Sequence, residues 1–192
     1  MMTVMGCTAG NTFTAEERAL IGGSADAGVM RVWKTDDPSD SLELRKVSEP
    51  LTAADLSSEA YAVLKARMLA TVNDPENAGV GIAAPQVGIR KQLIAVERYD
   101  REEPQFGFYV NPRIERYSDE KALGREGCLS IPDRSEEVPR SESIVISYLD
   151  ERSGQRVEET VEGFTAVIFQ HEIDHLNGIL YIDRASESPG QE

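Results

Sequence analysis

The chain has two histidines, His171 and His175, and they stand four residues apart in the run His171-Glu172-Ile173-Asp174-His175. On a helix this spacing puts both imidazoles on one face, where they can reach a single metal ion with Glu172 beside it. A lone helical histidine is more simply read as a satisfied core residue, but a pair bracketing a glutamate suits a metal and a general base. A catalytic ion needs a third protein donor and one open position. The usual metalloprotease sources fail. Tyr181 occupies the place where a third histidine would follow Gly178, and too few residues follow His175 to make another helix carrying a glutamate. The donor must therefore lie upstream. Cys128 is the natural candidate, because a thiolate binds zinc or ferrous iron and the preceding Gly127 lets backbone crowd close to an ion or ligand. Taken alone, one cysteine reads more simply as a small buried hydrophobe.

A second glycine-bearing segment, Gly79-Val80-Gly81-Ile82-Ala83-Ala84-Pro85-Gln86, combines close-approach residues with one side-chain amide. It lacks the Gly-Lys-Ser/Thr ending of a phosphate loop, so nucleotide binding is not expected, and a structural turn remains open.

These residues need elements to hold them. The last helix begins near Phe164, runs through His175 and stops at Asn177-Gly178, a usual left-handed end. Phe164, Val167 and Ile168 precede His171 by seven, four and three residues, so they share its face and offer an apolar pocket wall or ordinary core packing. A longer helix is expected from about Asp55 to Val72, where Ala60, Val63, Leu64, Met68 and Val72 recur at helical spacing. Alternation predicts strands at Gln92–Arg98, Phe106–Val110, Ile144–Leu149 and Arg156–Val161, and their spacing suggests antiparallel pairing. Thr14 to Glu17 forms a capping box for a short helix that reads as an appendage, ending at Gly22-Gly23. Residues 25–40, around Trp33, read as an irregular connection in which Trp33 packs.

Composition narrows the function classes. The chain has 192 residues, 40% of them hydrophobic, enough for one domain with a real core. Its formal net charge of −14 argues against nucleic-acid partners and anionic membranes. Two distant cysteines, Cys7 and Cys128, suggest a reducing compartment rather than a disulfide framework. A cytoplasmic location is expected, with lipid attachment at Cys7 as the alternative, because Val4-Met5-Gly6-Cys7 looks like a lipoprotein box without its usual leader.

In this order, GVGIAAPQ, EGCLS and QHEIDH resemble the three motifs of the peptide deformylases. The resemblance runs from about Leu44 to Asp183. It implies an α+β fold in which antiparallel strands wrap around a central metal-binding helix. It divides the chain into an N-terminal extension at 1–40, partly irregular, a catalytic domain at 41–184 and a short polar tail at 185–192. It implies one divalent ion held by Cys128, His171 and His175, ferrous iron (Fe2+) in cells. Zinc (Zn2+), nickel (Ni2+) and cobalt (Co2+) also suit these donors. The implied reaction is removal of the N-formyl group from formyl-methionyl peptides of nascent proteins, met in transient nascent-chain contact. Glu172 would be the base, and the Gln86 amide and the Leu129 N–H would steady the charge on the formyl oxygen. Gly81 and Gly127 would offer backbone to the extended peptide, and Phe164, Val167 and Ile168 would hold the methionine side chain. A metallopeptidase and a non-catalytic metal-binding relative are the alternatives. Two departures stand out: the acidic end of the chain does not suit RNA docking, and Arg134 sits one position from where some relatives carry a substrate-contacting arginine.

Overall fold

The structure, a computed structural model, describes residues 12–22 and 28–185. Cys7, and with it the lipid-attachment reading, lies outside the described residues, as does the tail from 186 on. The chain is α+β, with helices packed on antiparallel sheets. In chain order the elements are α1 (Ala15–Ile21), α2 (Pro38–Leu44), α3 (Ala53–Leu56), α4 (Glu59–Val72), β1 (Gly81–Ala83), β2 (Leu93–Glu97), β3 (Phe106–Tyr117), β4 (Lys121–Cys128), β5 (Ile131–Ser141), β6 (Ser143–Leu149), β7 (Arg156–Glu162), α5 (Gly163–Leu176) and α6 (Tyr181–Ala185). A 3-10 turn at Ala84–Val87 follows β1.

Two antiparallel sheets result. One has five strands in the order β1-β2-β3-β6-β7, and the other is the ribbon β4-β5. Strand β2 shows why the larger sheet is central. Successive side chains of a strand point to opposite faces, and here both faces are apolar. Leu93 and Ala95 join a cluster with Leu64, Met68 and Val72 of α4. Ile94 and Val96 join another with Ala166, Ile168, Phe169 and Ile173 of α5. The sheet is thus sandwiched between α4 and α5, and α5 also contacts β5 of the ribbon.

Several local outcomes differ from the sequence reading. The expected helix at Asp55–Val72 is broken at Ser57-Ser58 because the Asp55 carboxylate is already committed. It accepts from the Thr52 N–H at 2.7 Å, and the Asp55 N–H donates to Thr52 Oγ1 at 3.2 Å, closing a capping box around α3. Ser58 then caps α4 separately, its hydroxyl accepting from the Tyr61 N–H. Helix α1 has the expected box on Thr14, but it is no appendage: Phe13 and Ile21 are buried in the same cluster as α4, and Arg67 Nη1 donates to the Ile21 carbonyl at 2.6 Å. The stretch read as irregular has no helix or strand from 28 to 37, but its last three residues open α2, started by Asp37 as cap and Pro38 in the first turn.

At the far end of α5, Gly178 has φ +71°, and a Cβ there would lie 2.2 Å from the Arg45 carbonyl oxygen. Glycine is required on both counts. The close approach lets the Ser48 N–H reach the Leu176 carbonyl at 2.8 Å, so the strap before α3 closes over the end of the histidine-bearing helix.

Candidate active site

Helix α5 brings His171 and His175 onto one face, and the end of β4 brings Cys128 to meet them. The donor atoms of the three residues all lie within 4.8 Å of one another. Cys128 Sγ is 3.2 Å from His175 Nε2. Donors bonded at roughly 2.0–2.3 Å to one tetrahedral ion stand about 3.5 Å apart, so little adjustment separates this arrangement from a closed coordination shell. His175 is buried, 1% exposed, and its Nδ1 has no hydrogen-bond partner among the described residues.

The other histidine is held by a chain of charges. His171 Nδ1 is 2.8 Å from Glu126 Oε2, which leaves Nε2 to face Cys128 and His175. Glu126 is gripped in turn by Arg140, whose Nε donates to Oε1 at 2.8 Å and Nη2 to Oε2 at 3.1 Å. Arg140 Nη1 donates to Asp174 Oδ2 at 2.5 Å, and Arg184 Nη2 donates to Asp174 Oδ1 at 2.8 Å. Glu126, Arg140 and Asp174 are all buried. Burial works against the charged Glu126 carboxylate, but His171 and Arg140 outweigh it and hold the group below its ordinary range. Sequence reasoning assigned no role to these three residues, although Glu126 and Asp174 lie inside the EGCLS and QHEIDH runs. Arg140 carried no local signal at all.

Glu172 lies on the same helix, 4% exposed, and its Oε2 has no hydrogen-bond partner among the described residues. Burial pushes its carboxyl up to about 7. Gly81 of β1 lies against it: a Cβ at this position would stand 2.5 Å from Glu172 Oε1 and 2.8 Å from Ile168 Cγ2. Only glycine lets the β1 backbone come this close.

Gln86 sits on the 3-10 turn, 1% exposed. Its Oε1 accepts from the Ala83 N–H at 2.8 Å, which turns the amide nitrogen toward Ser130 Oγ at 3.3 Å and Cys128 Sγ at 3.5 Å. The turn is pinned from outside, since the Trp33 N–H donates to the Gln86 carbonyl at 2.8 Å and the Thr35 N–H to the Ser130 carbonyl at 2.8 Å. Trp33 does pack, as expected: a Cβ on Gly88 would touch its ring at 2.5 Å. The Leu129 N–H, just past Cys128, has no backbone partner among the described residues.

A cavity of about 670 Å³ opens over these groups. Its walls include Gly81, Gln86, Gly127, Cys128, Leu129, Phe164, Val167, Ile168, His171 and Glu172, so ten of the eleven residues singled out in the sequence line one space. The eleventh, His175, lies beneath them. Ile168 is buried, whereas Phe164 is 56% exposed and stands against Tyr99 at the rim, ring centres 5.4 Å apart. Arg134 is not a wall residue and pairs with Glu136.

The donor set fits a divalent ion of the zinc or ferrous type, with two imidazoles, one thiolate and a fourth side open to the cavity. A base, an amide donor and an apolar wall next to it equip the cavity for hydrolysis of an acyl bond.

Comparison with known proteins bears on this chemistry. A family model described as polypeptide deformylase matches residues 29–190. A peptide deformylase of Rhizobium meliloti is 41% identical over 145 residues, 75% of this chain and 80% of that protein. Among solved structures, the Met-Ala-Ser-bound class I type b peptide deformylase of Acinetobacter baumannii superposes with a TM-score of 0.70 at 40% identity, over 81% of this chain and 98% of that one. The actinonin-bound form of the same enzyme gives a TM-score of 0.71 at 40% identity, covering 82% and 99%.

Proposed function

We propose, for a chain that belongs to the peptide deformylase family and so removes the N-formyl group from formyl-methionyl peptides, that each group in the cavity has a definite part in that hydrolysis. The observation that carries this reading is the buried Glu172 carboxyl, whose Oε2 has no hydrogen-bond partner among the described residues, beside three converging metal donors.

Cys128, His171 and His175 would hold one divalent ion, ferrous iron in cells, with zinc, nickel or cobalt able to take its place. An ion held there supplies a Lewis acid that acidifies water and polarises a carbonyl oxygen, and its charge favours the ionised form of Glu172. Glu172 takes a proton from the attacking water as the water oxygen bonds to the formyl carbon. Negative charge then grows on the formyl oxygen, and the Gln86 Nε2 donors and the Leu129 N–H stabilise it. Gln86 needs no reorganisation for this, because Ala83 already fixes which end of its amide faces Cys128. Glu172 next delivers its proton to the departing nitrogen, the carbon–nitrogen bond breaks, and formate leaves a free amino terminus.

Binding follows from the walls. Val167, Ile168 and Phe164 form an apolar side for methionine, while Gly81, buried in the wall, and Gly127, exposed, would offer backbone on either side for an extended peptide to pair with. The expected partners are nascent chains, met transiently, since a net charge of −14 favours neither nucleic acid nor anionic lipid. A cytoplasmic site of action suits that substrate, and no helix among the described residues is long and apolar enough to cross a membrane.

The test is formate release from formyl-Met-Ala-Ser by anaerobically purified protein, with Glu172→Ala measured at equal metal content. General-base loss is expected to lower kcat by about 10²–10⁴-fold. Full activity in the metal-loaded variant would remove Glu172 from the mechanism.

A further inference from the structure

The cavity extends away from Cys128 along β4, where Gly124 and Arg125 form part of its wall. Alternation along this strand separates two tasks. Glu126 turns inward to His171 and Arg140, while Arg125 and Gly127 are exposed. Arg125 is three positions before Cys128, about 10 Å at roughly 3.4 Å per strand residue. An extended peptide with its formyl carbon beside Cys128 and its backbone along Gly127 would bring its second or third residue level with Arg125.

Arg125 is the only lysine or arginine among the wall residues, in a chain of net charge −14. Its Nε donates to Ser135 Oγ on β5 at 2.7 Å, which fixes the plane of the guanidinium. The two Nη groups have no hydrogen-bond partner among the described residues. Glu137 stands directly across the ribbon, but it forms no ion pair with Arg125 among the described residues, and the neighbouring Arg134 is taken up by Glu136. The cavity wall therefore presents a positioned cation with an open fork, the geometry that receives a carboxylate.

We propose that Arg125 is a specificity-determining residue that favours formyl-methionyl peptides carrying an acidic side chain at the second or third position. The proposal rests on the reading of this cavity as the formyl-peptide site. Such a contact forms alike in the bound and reacting states, so it acts through KM rather than kcat.

The experiment compares kcat/KM for C-terminally amidated formyl-Met-Asp-Ser and formyl-Met-Ala-Asp with their lysine counterparts, using metal-loaded wild type, Arg125→Gln and Arg125→Glu. Formyl-Met-Ala-Ser amide is the common reference. Wild type is expected to favour the acidic peptides about three- to tenfold, an advantage that shrinks as salt is raised. Arg125→Gln should flatten the ratio and Arg125→Glu should invert it. Because the readout is a ratio within each protein, a general loss of activity in a variant cancels. The same ratio in all three proteins, with the reference peptide turned over, overturns the role of Arg125 alone. No turnover of any peptide by metal-loaded wild type overturns the cavity reading, and this proposal with it.

Discussion

The two sheets of this protein are held in place by different physics. Strand β2 of the larger sheet is apolar on both faces, and Ile144 and Ile146 of β6 and Val161 of β7 are buried with it against α5. The ribbon β4-β5 has little such material. Ile131 and Val138 pack with Leu180 and with Tyr181 of α6, but most of β4 is exposed. What docks the ribbon on α5 is chiefly the buried line from His171 through Glu126 and Arg140 to Asp174. Hydrocarbon is non-directional and sets only where the large sheet lies, whereas charge-assisted hydrogen bonds set how the ribbon is oriented. Cys128 is on the ribbon and the histidines are on the helix, so the network that docks the ribbon also sets the distance between metal donors.

The sharpest way to separate these two roles is Glu126→Ala. It leaves Arg140 buried with half its partners gone and frees the His171 ring. Unfolding stability should fall by about 3–5 kcal/mol. Metal affinity should also fall by roughly 10–100-fold, read by competition with a chelator. Ile146→Ala, in the apolar sheet, provides the contrast. Ile146 is fully buried, and its truncation should cost about 2–5 kcal/mol with metal affinity close to wild type. Equal losses of metal affinity in the two variants would erase the distinction between the sheets.

The same division decides what could be read in advance. Strands β6 and β7 were legible because alternation of apolar residues reports burial directly, β2 was legible as a short apolar run, and of β3 only the first part, Phe106–Val110, was read, since the strand continues to Tyr117. β4 was not: Lys121-Ala122-Leu123-Gly124-Arg125 buries nothing, so a strand held mostly by polar contacts leaves no periodic trace. β1 was hidden for another reason, since Gly81-Ile82-Ala83 is too short to alternate and its glycine reads as a loop. For the site, spacing within one helix revealed His171, Glu172 and His175, and two local runs supplied Cys128 and Gln86. Arg140 reaches Glu126 from fourteen residues away, and Asp174 lies thirty-four beyond Arg140. Contacts at that separation exist only after the chain has folded. Even inside a recognised run, Glu126 could not be told from a solvated acid until its partners were in place.

The smallest expected effect lies outside both sheets and shows what an ordinary ion pair is worth here. Asp40 of α2 accepts from Arg31 Nη1 and Nη2, each at 2.6 Å, and from the Lys34 N–H at 3.0 Å. The Arg31 hydrogen bonds are the largest influence and hold the Asp40 carboxyl below its ordinary value, against the opposing effect of burial. A carboxylate with a folded pKa below its unfolded one contributes stability that is fully present above the unfolded value, near 4. That contribution disappears as pH falls through the folded value. Asp40 is buried but the Arg31 side chain is 63% exposed, so solvent and salt weaken the pair from the arginine side. Asp40→Asn should therefore cost only about 0.2–1 kcal/mol at pH 7. The difference from wild type should vanish in denaturation curves taken below the folded pKa, and it should leave metal affinity untouched. A loss of stability at pH 7 as large as that of Glu126→Ala would mean that exposure does not separate the two kinds of pair. The docking of the ribbon would then need an explanation other than buried charge.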